Sequence, residues 1–254
     1  MRKPRNYWIF MAVFLTFICL SLALEIYHPA WANEDLNLQR TVLMFPSVLK
    51  GDIVTRVNTG GQKLVALTFD DGPDPRYTPK VLNILKQYQV KATFFMVAEN
   101  AEAHPGLVRQ AIKEGHEIEN HSYTHPELNR DTLATIDAEI VGTQEVLEGI
   151  TGRYPIYFRP PKRLYNQHVI KAAHASRMQV ILWTVGVENR RCPTPQKMAE
   201  RVLQKMQPGV IILAHDGLLC RDKTVLALPA IIEGYQEHGY KFVNLNVLIA
   251  VGGR

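Results

Sequence analysis

Cysteine is scarce: three in 254 residues, at Cys19, Cys192 and Cys220. That excludes a framework of several disulfides. Cys19 falls in an apolar leader, so an even pair, Cys192 and Cys220, remains for one bridge in an oxidising compartment. Charge of one sign is lacking too. Lys and Arg number 29 against 24 Asp and Glu, a formal net charge of +5. No basic stripe with interleaved aromatics accompanies it, so nucleic acid is not the expected partner. Internal repeats and low-complexity tracts are absent, and the composition suits one globular domain with an appendage.

Long apolar runs are also rare. The run over residues 7–24 follows Arg2, Lys3 and Arg5 and precedes Ala30-Trp31-Ala32. This reads as a secretory signal over residues 1–32, cleaved between Ala32 and Asn33. The run is long for a signal, so an uncleaved membrane anchor is the alternative, and both readings export the rest. Loss of residues 1–32 removes Arg2, Lys3, Arg5 and Glu25, lowering the formal charge from +5 to +3. Residues 33–50 are expected to be a linker or extension, and residues 51–254 the folded domain.

What is present is organised around residues 64–75, an apolar, β-prone run ending in Asp70-Asp71-Gly72-Pro73-Asp74-Pro75. It reads as a buried strand that finishes on two adjacent carboxylates and breaks into a loop. Two acids at a strand tip repel each other and lose solvent. A metal on one, with the other free to handle protons, would compensate.

Residues 52–57 are expected to form a hairpin with residues 64–69 across Asn58-Thr59-Gly60-Gly61. Strands and helices then alternate about seven times, ending in a strand over residues 240–245. Strands apolar on both faces argue for a parallel sheet covered by helices and closed, or nearly closed, into a barrel. Asp70, Asp71, His121, His125, Arg159, Asn189 and His215 each fall just after a strand, on the rim where such barrels assemble sites. Cys192 and Cys220 follow successive strands there, so a bridge between them is expected, worth about 3–4 kcal/mol by chain entropy.

His121 and His125 are four apart, and one helical turn would project both imidazoles from the same side. Two imidazoles and a carboxylate leave an open position on zinc or a related divalent metal, suited to activating water.

Thr68-Phe69-Asp70-Asp71-Gly72-Pro73 and His121-Ser122-Tyr123-Thr124-His125 resemble the first two motifs of the polysaccharide deacetylase (NodB-homology) family. Phe158-Arg159-Pro160-Pro161 resembles the third and Leu213-Ala214-His215-Asp216 the fifth. The resemblance covers about residues 51–249. It implies a distorted (β/α) barrel of seven or eight strands and metal-dependent removal of acetyl groups from a polysaccharide. By position, Asp71, His121 and His125 would hold the metal, with zinc first and cobalt, nickel or manganese as other candidates. Asp70 would be the general base, kept ionised by Arg159, and His215 the general acid. Leu213 would line the acetyl pocket, and the N–H after Pro161, that of Lys162, would meet the oxyanion.

The sequence departs from the family where an aromatic residue and Gly usually follow the prolines; here stand Lys162 and Arg163. The fourth motif reads Trp183-Thr184-Val185-Gly186-Val187-Glu188-Asn189-Arg190. Asn189 then stands where an Asp would orient the acid histidine, which predicts a lowered His215 pKa or a slower enzyme. An inactive, sugar-binding relative is the alternative. Lys162, Arg163, Arg190 and Arg191 would place four cations near the groove, either as a solvated rim or facing an anionic glycan such as peptidoglycan. The expected protein is an exported, monomeric, metal-dependent deacetylase of peptidoglycan or a chitin-like glycan. Xylan esters are a further alternative, and contact with a membrane would come only through an uncleaved anchor.

Overall fold

The structure, a computed structural model, describes residues 53–188 and 194–252. Its strands are β1 (Ile53–Val54), β2 (Leu64–Asp70), β3 (Thr93–Met96), β4 (Glu117–Asn120), β5 (Tyr157–Phe158), β6 (Gln179–Ile181), β7 (Val185–Gly186), β8 (Ile211–His215) and β9 (Lys241–Phe242). Helices α1 (Thr78–Gln87), α2 (Ala98–Ala103), α3 (Pro105–Lys113), α4 (Leu133–Thr151), α5 (Gln167–Ala175), α6 (Pro195–Leu203), α7 (Asp222–Glu237) and α8 (Leu245–Gly252) lie between and after them. The strands run in the order β1-β6-β5-β4-β3-β2-β8-β7, with β9 beside the start of β2. Among the described residues every pairing between these strands is parallel. This is the expected parallel α/β barrel, opened into a curled half-barrel. Among the described residues no helix is long and apolar enough to cross a membrane.

Strand β2 is central because its residues suit burial on both faces. Val65, Leu67 and Phe69 join the helix-side core with Phe94, Met96, Leu228 and Ile232. Phe69 and Phe94 stack with centroids 5.0 Å apart, a pair worth about 0.5–1.5 kcal/mol beyond its burial. The alternate residues Thr68 and Asp70 face the barrel interior, since successive strand side chains point to opposite faces.

Two local expectations are corrected. Residues 52–57 do not form a hairpin with β2. Both edges of β2 are taken by β3 and β8, so β1 pairs with β6, and Arg56 bridges antiparallel to Val210. The strand expected over residues 240–245 shrinks to β9. The chain then turns into α8, whose start is held where Leu245 N–H donates to Thr93 Oγ1 at 2.9 Å.

Strand β4 puts two acids inside the barrel. Glu119 Oε2 accepts the N–H groups of Ile156 and Tyr157 at 2.8 and 2.7 Å. Those bonds tie β4 to the two-residue strand β5. Glu117 Oε2 accepts from Thr93 Oγ1 at 2.6 Å. Burial, then the neighbouring Glu117, push the Glu119 pKa well above its ordinary 4.5. Its contribution to stability is therefore full below pH 4.5 and declines as pH rises toward the folded value. Glu119→Gln keeps an acceptor for both N–H groups and cannot titrate. Its melting temperature should fall at or slightly below wild type at pH 4 and rise progressively above it toward pH 8. Parallel melting curves across that range would contradict the assignment.

Candidate active site

The two acids at the end of β2 are carried by different backbone states. Asp70 continues the strand and lies in register with His215 on β8. Asp71 turns out of it at φ 75, a left-handed conformation that costs a non-glycine residue about 1–2 kcal/mol. Its surroundings enforce the turn. Asn100 Nδ2 donates to the Asp71 carbonyl at 2.9 Å. Gly217 packs so closely that a Cβ there would sit 2.1 Å from the same oxygen.

This turn aims Asp71 at the two histidines. Ligand atoms of Asp71, His121 and His125 lie within 4.8 Å of one another. Asp71 Oδ1 is 3.5 Å from His121 Nε2 and 3.2 Å from His125 Nε2. Yet Oδ1 is buried without a hydrogen-bond partner among the described residues. A carboxylate oxygen left unsatisfied between two imidazole nitrogens suits a cation that all three could share. Asp71 Oδ2 is held separately by Arg221 at 2.9 Å, and Arg221 Nε donates to the Gly217 carbonyl at 2.8 Å. Burial alone would raise the Asp71 pKa. The closeness of His121 and His125, with His215 beyond, reverses this and holds it far below the usual carboxylate range.

The helical turn that would put both histidines on one side does not form. Residues 121–125 form an open loop with Ser122 at φ 67 and His125 at φ 63, and proximity to Asp71 comes from that loop path. His121 Nδ1 lies 2.7 Å from the Arg159 carbonyl. A carbonyl can only accept, so Nδ1 carries a hydrogen, and Nε2 is the ring nitrogen turned toward Asp71.

Asp70 is shielded by Arg159, which is fully buried. Its Nη1 donates to Asp70 Oδ1 at 2.6 Å and to Thr68 Oγ1 at 2.9 Å. Nε and Nη2 are taken by the carbonyls of Ile181 and Leu182 at 3.3 and 3.2 Å. The guanidinium lies 4.0 Å over the Phe95 ring. Each of the two adjacent carboxylates thus has its own arginine.

His215 is oriented by Glu188. Its Nδ1 is 3.0 Å from Glu188 Oε2, its backbone N–H donates to Oε1 at 3.1 Å, and Thr224 Oγ1 donates to Oε1 at 2.7 Å. The expectation that an amide at position 189 replaces the missing carboxylate is corrected: the acid sits one residue earlier. Asn189 itself, with Arg190, Arg191 and Cys192, lies outside the described residues. Burial would lower the His215 pKa, but the hydrogen bond and charge of Glu188, then Asp70 and Asp71, raise it above its ordinary value.

These groups line a cavity of about 630 Å³ together with Pro160, Lys162, Trp183 and Leu213. Pro161 and Lys162 belong to a 3-10 turn, Pro161–Arg163, with Lys162 at φ 55 and Arg163 at φ 60. Arg163 thus adopts a glycine-like conformation where the family usually has glycine. Of the expected cations, Lys162 reaches the cavity, with Nζ 3.5 Å from Glu127. Arg163 lies over the Trp183 ring at 5.5 Å instead. Arg201 and Arg221, not foreseen from the sequence, also line the cavity. Cys220 is an exposed free thiol, 3.2 Å from Asp222 Oδ2.

A parallel α/β barrel carrying a carboxylate–imidazole triad, a shielded second carboxylate and a carboxylate-bound imidazole on one rim defines a class: a barrel hydrolase with a candidate metal centre. Comparison with known proteins narrows it. A family profile described as polysaccharide deacetylase matches residues 57–181. A peptidoglycan-N-acetylglucosamine deacetylase of Bacillus cereus is 37% identical over 190 residues, covering 74% of this chain and 89% of the relative. The solved Bc1960 peptidoglycan N-acetylglucosamine deacetylase is similar with TM-score 0.75 and 35% identity, over 80% of this chain and 95% of that one. BA3943 of Bacillus anthracis, described as a CE4 family pseudoenzyme, gives TM-score 0.73 and 30% identity, over 79% and 70%. The chain belongs to the polysaccharide deacetylase family, a family of metal-dependent hydrolases.

The His215–Glu188 geometry yields a direct test. Glu188→Gln removes the charge while burial persists, so the His215 pKa should drop. Any rate limb that needs protonated His215 should then move to lower pH. NMR titration of the His215 ring measures this, and an unchanged pKa would contradict the pairing.

Proposed function

We propose that the chain is an exported deacetylase that hydrolyses the N-acetyl groups of cell-wall amino sugars, with peptidoglycan as its substrate. The single observation that carries the reading is the orphaned Asp71 Oδ1, buried between His121 Nε2 and His125 Nε2 at the mouth of a cavity shared by Asp70 and His215. Asp71, His121 and His125 would hold a divalent metal, zinc first. When bound, it acidifies a water toward roughly neutral pKa and polarises the acetyl carbonyl.

The protein groups divide the remaining work. Asp70 takes the proton of the attacking water on Oδ2, because Arg159 occupies Oδ1. The Lys162 N–H donates to the developing oxyanion, and Leu213 with Trp183 receives the acetyl methyl. His215 gives its Nε2 proton to the leaving nitrogen, while Glu188 holds the ring through Nδ1. Acetate and a free amine result. Lys162 and Arg201, which line the cavity, would face the carboxylates of a peptidoglycan strand. The signal-like sequence expected over residues 1–32 and the relatives named for peptidoglycan support export.

The inactive, sugar-binding reading came from the departures at Lys162, Arg163, Gly186, Asn189 and Arg190, among them a missing acid for His215. Glu188 supplies that acid, which favours the active enzyme.

Acetate release from peptidoglycan should be abolished by chelator and restored by zinc or cobalt, and Asp71→Asn should resist restoration. His215→Ala should lower kcat by about 10²–10⁴-fold, the usual worth of general acid catalysis. Release that ignores the chelator, or glycan binding with no acetate, would contradict the proposal. Lys162→Ala should lower the ratio of activity on peptidoglycan to that on chitin oligomers. An unchanged ratio would remove the anionic substrate from the account.

A further inference from the structure

The two imidazoles of the candidate metal site ride on a loop with no regular structure of its own. Ser122 at φ 67 and His125 at φ 63 both lie in the left-handed region, which is costly for side chains of this kind and persists only when the surroundings impose it. Part of that constraint is local. Asn120 Oδ1 accepts the Ser122 N–H at 2.9 Å, and Ser122 Oγ accepts the His125 N–H at 3.1 Å. The middle of the loop is held from two helices. The Ala98 and Glu99 N–H groups at the start of α2 donate to the Ser122 and Tyr123 carbonyls, both at 3.2 Å, and α4 holds the N–H side.

One carboxylate there takes three donors. Glu139 Oε2 accepts the N–H groups of Tyr123 and Thr124, both at 2.8 Å, and Oε1 accepts the Thr124 hydroxyl at 2.7 Å. Nearly one turn further along α4, Gly142 makes room for the Tyr123 ring. A Cβ at Gly142 would stand 3.2 Å from Tyr123 Cδ2, closer than packed side chains tolerate without moving. The Tyr123 hydroxyl then reaches Glu102 on α2 at 2.6 Å. A glycine in a helix interior sacrifices stability relative to alanine, so its place against this ring marks a packing demand of the loop.

We propose that Glu139 is a positioning residue for the metal centre, acting through the backbone between His121 and His125, with Gly142 as the seat of Tyr123. Glu139 touches none of the ligand atoms. Its carboxylate fixes residues 123 and 124, and thereby the separation and direction of the two imidazoles toward Asp71. This rests on the reading that Asp71, His121 and His125 hold a divalent metal.

The experiment measures zinc affinity of the full chain by competition with a chromophoric chelator, alongside the melting temperature of the metal-free protein. Outer partners of metal ligands commonly govern about 10–100-fold in affinity, and Glu139→Ala should lose an amount in that range. Glu139→Gln, which keeps an acceptor for the two N–H groups, should recover most of it. Gly142→Ala improves helix propensity yet crowds Tyr123. It should weaken zinc binding while leaving the metal-free melting temperature unchanged or higher, a split that a purely structural role would not produce. Wild-type zinc affinity in both Glu139→Ala and Gly142→Ala would overturn the inference. If Glu139→Ala does not fold, wild-type affinity in Gly142→Ala alone overturns it. A wild-type protein that binds no zinc would overturn the metal reading as well, which separates the two failures.

Discussion

Two carboxylates side by side at the tip of a buried strand are the constraint on which the rest of the site depends. Neither Asp70 nor Asp71 has solvent to disperse its charge, and both are less than a twentieth exposed. The fold answers by sending them in different directions. Asp70 stays in the strand and receives a fully buried arginine; Asp71 is twisted to φ 75 and turned toward two imidazoles. Breaking a buried ion pair by removing one partner costs about 3–5 kcal/mol, so Arg159 is as much a condition of folding as of chemistry. Its remaining donors, spent on Thr68 and on the carbonyls of Ile181 and Leu182, fasten β2 to the far side of the barrel.

The same separation divides labour at the rim. Asp71 keeps one oxygen unsatisfied and gives the other to Arg221, which limits how it can approach a cation. Asp70 gives one oxygen to Arg159 and turns the other toward His121. Across the cavity, His215 and Glu188 shift in complementary directions, the imidazole upward and the carboxylate downward despite burial. That favours the charged pair, with a proton ready on the imidazole. Asp70 and His215 are thus held by different partners, Arg159 and Glu188.

Much of this was legible in the sequence because its signals are local. The apolar run into Asp70-Asp71 marked β2, and the His121/His125 spacing beside an acid pair marked the triad. What was not legible depends on distance or on very short elements. The strand expected over residues 240–245 keeps only the two residues of β9, too short a stretch for a period to fix its bounds. Arg221 reaches Asp71 across 150 positions, and no local pattern announces such a pair. Glu188 was overlooked because motif alignment counts positions, whereas the reach to His215 is set by where the chain turns after Gly186. The hairpin expected before β2 failed for a related reason: turn residues predict a reversal, but free strand edges decide what pairs. The path of the loop carrying the histidines was not legible because the groups that hold it lie on other helices, Glu139 and Gly142 on α4 and the first N–H groups of α2.

The central claim is that one carboxylate and two imidazoles from separate strand ends share a single cation. X-ray absorption at the zinc edge, on protein loaded with one equivalent of zinc, tests this most directly. The account predicts two imidazole nitrogens and carboxylate oxygen at about 2.0–2.2 Å, with the imidazole scattering lost on replacing both His121 and His125. A zinc environment without imidazole, or one that keeps its imidazoles after that replacement, would contradict it.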